Sequence, residues 1–174
     1  MASRYPMRWL MTDERVGDRL WPMLRRLPPG SGVIFRHHAT PPAERRAIFR
    51  RVRRIARARR LVLLAARPPL PGAAGLHGRV RGATSWPAHD AREAAAGRRA
   101  GARLVLVSPV FATRSHPGAR ALGPMRAARI GGAATRIALG GMTERRWRRI
   151  RTLGFAGWAG IDGWQAGHAA AGPG

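Results

Sequence analysis

The chain has 174 residues, enough for one domain with a full core, and no cysteine, which excludes disulfides and thiolate metal sites. Its net charge is +25, yet all 33 basic residues are arginine and neither lysine nor asparagine occurs. That usage, beside abundant Ala, Gly and Pro, is what a very GC-rich coding sequence produces, so part of the charge needs no polyanionic partner. Met7 to Met11 is too short and too interrupted for a signal sequence, and no apolar run reaches membrane-spanning length, so the expectation is a soluble cytoplasmic protein.

Short apolar runs alternate with helical segments along the chain. Arg8–Thr12 and Gly32–Arg36 read as the first two strands. The segment Thr40–Arg60 reads as a helix, with Thr40 as cap, Pro41 or Pro42 in the first turn and Glu44 near the positive end of the dipole. Ile48, Val52, Ile55 and Ala56 share one face, and the pairs Arg45-Arg46, Arg50-Arg51 and Arg53-Arg54 read as its solvent side. Leu61–Ala65, Ala74–His77 and Gly82–Ser85 are strands three to five, followed by a helix over Ala91–Ala100. Arg103–Val107, rich in Leu and Val, is a strand covered on both faces, and a helix follows over Ala119–Arg129. Arg136–Leu139 leads to a helix over Glu144–Leu153 that Thr143 caps and Gly154 ends, with Trp147, Ile150 and Leu153 inward and Arg145-Arg146 outward. Gly157–Gly160 is the eighth strand, and the chain closes in an Ala/Gly-rich tail.

Strand-to-helix alternation implies right-handed crossovers and a parallel sheet. Eight strands predict a single (β/α)8 barrel over residues 1–165, with residues 166–174 as tail. It is a trimmed one, with reduced helices after strands three, four, five and eight. An open Rossmann-like sheet is the alternative, but no G-x-G-x-x-G follows the first strand. Leu10, Val33, Phe35, Leu61, Leu63, Leu76, Val105, Val107, Ile137 and Leu139 are the expected core.

Chemistry concentrates at strand ends. Ser108-Pro109-Val110-Phe111-Ala112-Thr113-Arg114-Ser115-His116-Pro117-Gly118 follows strand six with hydroxyls, glycine and a histidine, and Gly140-Gly141-Met142 follows strand seven. Two such loops on successive strands predict a phosphate site. Arg36 and His38, at alternate positions, face the barrel mouth together, while His37 faces out. His77 closes strand four, and His116 stands where an imidazolium meets a phosphate. Of the eight acidic residues only Asp13, Asp90 and Asp162 fall near strand ends, and none of these three pairs with another in sequence, so no carboxylate clamp for a metal is visible. The arginine runs lack interleaved exposed aromatics for base stacking, so they read as solvated faces and a nucleic-acid partner is not favoured.

These motifs resemble the thiamine-phosphate synthases and their TenI-like thiazole tautomerase relatives, compact (β/α)8 barrels. Ser108-Pro109-Val110-Phe111, Thr113, Ser115, His116, Gly118 and Leu122-Gly123 resemble the family's G-P-V-F-x-T-x-[ST]-K-x-G…L-G. Ala138-Leu139-Gly140-Gly141-Met142 resembles its A-I-G-G-I, and Gly75-Leu76-His77 its G-V-H. The resemblance implies that Gly140, Gly141, Gly160 and Ile161 hold a thiazole phosphate, that Thr113 and Ser115 flank the thiazole, and that Arg36 with His38 meets a diphosphate. It implies Mg²⁺ as well, but the positions that would carry its carboxylates are Ala65-Ala66 and Arg79-Val80-Arg81, so no metal site is assigned. Arg67, Arg79 and Arg81, in those turns, are candidates to meet the diphosphate instead. The family's two lysines are His38 and His116 here, and the tautomerase's histidine is Pro109. The first reading is a transferase joining a pyrimidine diphosphate to a thiazole phosphate. Others are a non-catalytic barrel for phosphorylated small molecules, a tautomerase, and an Arg-rich RNA-associated protein; homo-oligomerisation is left open.

Overall fold

The computed structural model describes residues 5–113, 118 and 120–164. Eight parallel strands close into a barrel, each paired with its sequence neighbour and the last with the first. They are β1 (Arg8–Met11), β2 (Gly32–Phe35), β3 (Val62–Ala66), β4 (Gly75–His77), β5 (Ser85–Ala88), β6 (Leu104–Val107), β7 (Thr135–Leu139) and β8 (Gly157–Gly160). Closure rests on Arg8, Trp9 and Leu10 standing opposite Trp158, Ala159 and Gly160. The thinnest seam lies between β4 and β5, which share one register pair, His77 opposite Ser85.

Around the barrel run α1 (Leu20–Arg26), α2 (Pro42–Ala58), α3 (Ala91–Arg99), α4 (Pro124–Ala128) and α5 (Glu144–Ile150). The gaps after β3 and β4 hold no helix, and a 3-10 turn over Asp162–Trp164 follows β8, so the barrel is trimmed at those places, but not after β5, where the nine-residue α3 corrects the expected reduction. β5 lies three residues beyond the expected Gly82–Ser85: Ser85, Trp86 and Ala88 are buried in the strand, and Gly82 is exposed in the turn before it. A 3-10 segment (Glu14–Arg19) and α1 follow β1 and had no counterpart in the sequence reading. Thr40 does not cap α2; the cap is Pro41, without a side-chain bond, and the Thr40 hydroxyl faces Glu14 instead. Thr143 caps α5 as expected, accepting from the Arg146 N–H at 3.2 Å, and Gly154 ends the following turn at φ +80°.

Side chains from all eight strands are buried, as parallel strands covered on both faces require. Of the expected core, Leu76 and Leu139 are only half-buried: Leu139 lines the mouth, and Leu76 lies in β4, where no helix follows β3 or β4. The apolar face of α2 is broader than Ile48, Val52, Ile55 and Ala56, for Phe49 is fully packed as well. The same face buries Arg45, which is 3% exposed and so corrects its assignment to the solvent side. Its guanidinium fans across the carboxyl ends of β2 and β3, donating to the carbonyls of Arg36 (3.2 Å), His37 (3.1 Å), Ala66 (2.7 Å), Arg67 (3.4 Å) and Pro68 (3.1 Å). Among the described residues, no helix is long and apolar enough to cross a membrane.

Candidate functional site

At the carboxyl mouth a cavity of about 460 Å³ opens among the ends of β1, β2, β5, β6, β7 and β8, on the barrel face where such enzymes place their chemistry. Thr113, Gly140, Gly141, Gly160 and Ile161, all named from the sequence, line it together. The loops after β6 and β7 are zipped to each other: the Val110 N–H donates to the Leu139 carbonyl at 2.8 Å and the Phe111 N–H to that of Gly140 at 3.1 Å. At its far end the β6 loop returns to its start, through Leu122 N–H to Pro109 O (2.9 Å) and Gly123 N–H to Val110 O (3.1 Å). Gly140 and Gly141 take φ of +91° and +59°, and a Cβ on Gly141 would meet the Ala112 carbonyl oxygen, so only glycine lets the two loops approach this closely.

Arg36 also lines the cavity. Its Nε donates to the Thr12 carbonyl at 3.0 Å and Nη2 to the Asp13 carboxylate at 2.7 Å, which folds it back against the end of β1. Burial would raise the Asp13 pKa, but hydrogen bonds from Arg15 and the charge of Arg36 outweigh it and hold the carboxyl below its usual range. Two wall residues went unread in the sequence. Arg146, placed on the solvent face of its helix, lies in the wall, its guanidinium 4.7 Å from the centre of the Phe111 ring and donating to the Gly141 carbonyl. His89, at the end of β5, donates from Nδ1 to the Ser108 carbonyl at 2.8 Å, which fixes the tautomer and leaves Nε2 as the acceptor. The displaced fifth strand hid His89; placing Ser85–Ala88 as the strand would have set it at a strand end.

The strand ends at Phe35, so the alternation behind the His37 and His38 assignments breaks there. His37 has φ +47°, is buried, stacks on Phe35 at 4.5 Å and shares a 2.9 Å hydrogen bond with Thr12 Oγ1. His38 is exposed and does not contribute to the cavity wall. His77 is buried away from that wall, its Nδ1 2.9 Å from Ser85 Oγ, and burial, aided by the charges of Arg36 and His38, pushes its pKa down to about 4. Gly118 is exposed, with φ +85°. Ser115 and His116 lie outside the described residues. Arg67 and Arg81 are exposed and Arg79 is ion-paired with Glu93 at 2.7 Å; none of the three lines the cavity.

As for a metal, Ala65 and Ala66 present buried methyl groups at the end of β3. Among the described residues no three His, Asp or Glu side chains converge. The donor set present therefore does not suit a hard divalent cation.

Residues 82–163 match the family model described as thiamine monophosphate synthase. No curated protein sequence matches the chain. Among solved structures, thiamine phosphate pyrophosphorylase from Pyrococcus furiosus superposes with a TM-score of 0.73 at 18% identity, over 89% of this chain and 85% of that one. Thiamine phosphate pyrophosphorylase from Bacteroides thetaiotaomicron gives 0.55 at 16%, over 97% and 89%. The YdjI aldolase from Escherichia coli K12 gives 0.58 at 10%, over 90% and 75%, so at this level of identity the likeness is one of fold alone. The matched residues are those that build β5 to β8 with the two zipped loops, and over them the chain is similar to the thiamine monophosphate synthase family.

Proposed function

We propose that this barrel joins a pyrimidine diphosphate to a thiazole phosphate and releases diphosphate. The observation that carries the reading is the cavity wall, which brings Thr113, Gly140, Gly141, Gly160 and Ile161 together with two guanidinium groups, Arg36 and Arg146. The thiazole phosphate would sit against the backbone of the two glycine loops, with Thr113 and Ser115 beside the ring. Arg36 would meet the diphosphate, with His38 and His116 as its expected companions. The bond from the pyrimidine methylene carbon to the diphosphate oxygen breaks, and its electron pair leaves with the diphosphate. The thiazole nitrogen then supplies the pair for the new carbon–nitrogen bond. Charge accumulates on the departing oxygens, so donors already aimed at them supply most of what the protein must do.

Among the described residues no three His, Asp or Glu side chains gather to hold Mg²⁺, and the step as written leans on guanidinium groups. Arg36 and Arg146 stand on the wall; Arg67, Arg79 and Arg81 are proposed as further contacts from loops around the mouth. A second reading, ligand binding without catalysis, is favoured by one observation, the Ala65-Ala66 end of β3. The test is formation of thiamine phosphate from the two purified substrates, with Mg²⁺ and with chelator, beside calorimetry of thiazole phosphate. Product under both conditions is expected. Binding without product would replace transfer by the binding reading, and absence of both would reject the site.

A further inference from the structure

The arginines of α2 divide into one that is buried and a set that is not. Arg46, Arg50, Arg53 and Arg57 recur at intervals of four, three and four, which places them on one edge of the helix. At 1.5 Å per residue the row is about 16 Å long. Arg46, Arg50 and Arg57 are exposed, and Arg53 is half-buried and donates to the Pro71 carbonyl at 3.4 Å. Among the described residues no carboxylate pairs with any of them. The ion pairs seen among the described residues, Arg8–Glu144, Arg15–Asp13, Arg36–Asp13, Arg79–Glu93 and Arg148–Glu144, lie elsewhere.

Coding bias explains arginine where lysine would serve, but it does not explain the lack of Asp and Glu, whose codons suit a GC-rich message as well. Like charges three and four apart work against the helix that carries them. A row kept under that penalty is complementary to an extended anion.

We propose that this face of α2 docks the phosphodiester backbone of duplex nucleic acid, independently of base sequence. The surroundings select that partner. Of the large apolar side chains, only Met7 and Met125 are exposed among the described residues, and neither is on α2. The face therefore offers no anchor for a membrane interface and no central apolar patch for a protein partner. Nor does it carry a free aromatic on which unpaired bases could stack, because Trp21, next to α2, is covered by the Arg51 guanidinium at 3.8 Å. Phosphate contact alone remains, which positions a duplex without reading it.

The experiment is fluorescence anisotropy of the full chain with duplex DNA and duplex RNA of about 24 base pairs, titrated across salt. About four phosphate contacts predict that affinity falls about 100-fold between 50 and 200 mM salt. Replacing Arg46, Arg50, Arg53 and Arg57 together by Gln should weaken binding at least tenfold and flatten the salt dependence, while Arg→Lys at the same four keeps both. Arg92→Gln, Arg99→Gln, Arg126→Gln and Arg129→Gln together remove the same charge from α3 and its surroundings and should change affinity less than threefold. Equal losses in the two Gln sets would mean that net charge alone is at work and would overturn the proposal. So would binding to phosphatidylserine vesicles with none to either duplex.

Discussion

A single guanidinium holds the carboxyl ends of two strands. Arg45 reaches five carbonyls at the mouth, and no lysine could do so, because an ammonium is a point donor and guanidinium a fork. Arg45→Met should cost about 2–4 kcal/mol in urea unfolding, and Arg45→Lys should recover less than half of it. The sequence could not show this, since an arginine between Glu44 and Arg46 reads as solvent-facing until Phe49, one turn on, is seen to pack on the same side. His77 gives a pH dependence. Its pKa is about 4 in the fold against an ordinary 6.5, so between those values the unfolded chain binds the extra proton. Stability contributed above pH 6.5 is therefore lost as the pH falls toward 4, by about 2 kcal/mol between pH 7 and pH 5. In urea melts at the two pH values, His77→Gln should lose about that much less than the parent; an equal loss in both would remove His77 as the source.

At the scale of elements, the pair of loops after β6 and β7 is the unit that matters. The loop after β7 is short and the one after β6 runs on to α4, and their mutual hydrogen bonds fix where Thr113 stands relative to Gly140 and Gly141. Gly141→Asp adds strain at φ +59°, a clash with the Ala112 carbonyl and a negative charge, so thiazole-phosphate binding followed by calorimetry should fall at least tenfold. Arg146→Gln leaves the backbone as it is and should weaken the same binding less, by a few-fold, through loss of one charged donor. These loops were legible from sequence because their glycines and hydroxyls follow uniformly apolar strands, Leu104–Val107 and Ile137–Leu139. β5 was not, because Ser85-Trp86-Pro87-Ala88 mixes a hydroxyl and a proline into a buried strand, and His89 went unread with it. α1 escaped for a similar reason: Trp21-Pro22 interrupts a seven-residue helix whose buried side is only Leu20, Met23 and Leu24.

Across the whole molecule, the barrel was legible because eight apolar runs alternate with helical or turn-rich segments and no G-x-G-x-x-G after the first strand favours an open sheet. Val105 of β6 is fully buried behind α3, and Val105→Ala should lower stability by roughly 1–3 kcal/mol in thermal or urea unfolding without altering the circular dichroism of the folded state. The core behind the strands is in two parts. One gathers α1, α2 and the first three strands, and the other lies between β5–β8 and their helices. Leu104, Leu106, Ile137 and Ala159 cross from the second half into the first. The seam of one register pair between β4 and β5 thus falls where the two parts meet, in an exposed turn at Arg81-Gly82. Severing the chain there removes little that holds either part. Residues 1–81 and 82–174, produced as separate polypeptides, should reassemble on mixing into a particle of the parent's size, and a fluorescent donor and acceptor on the two pieces would report the union.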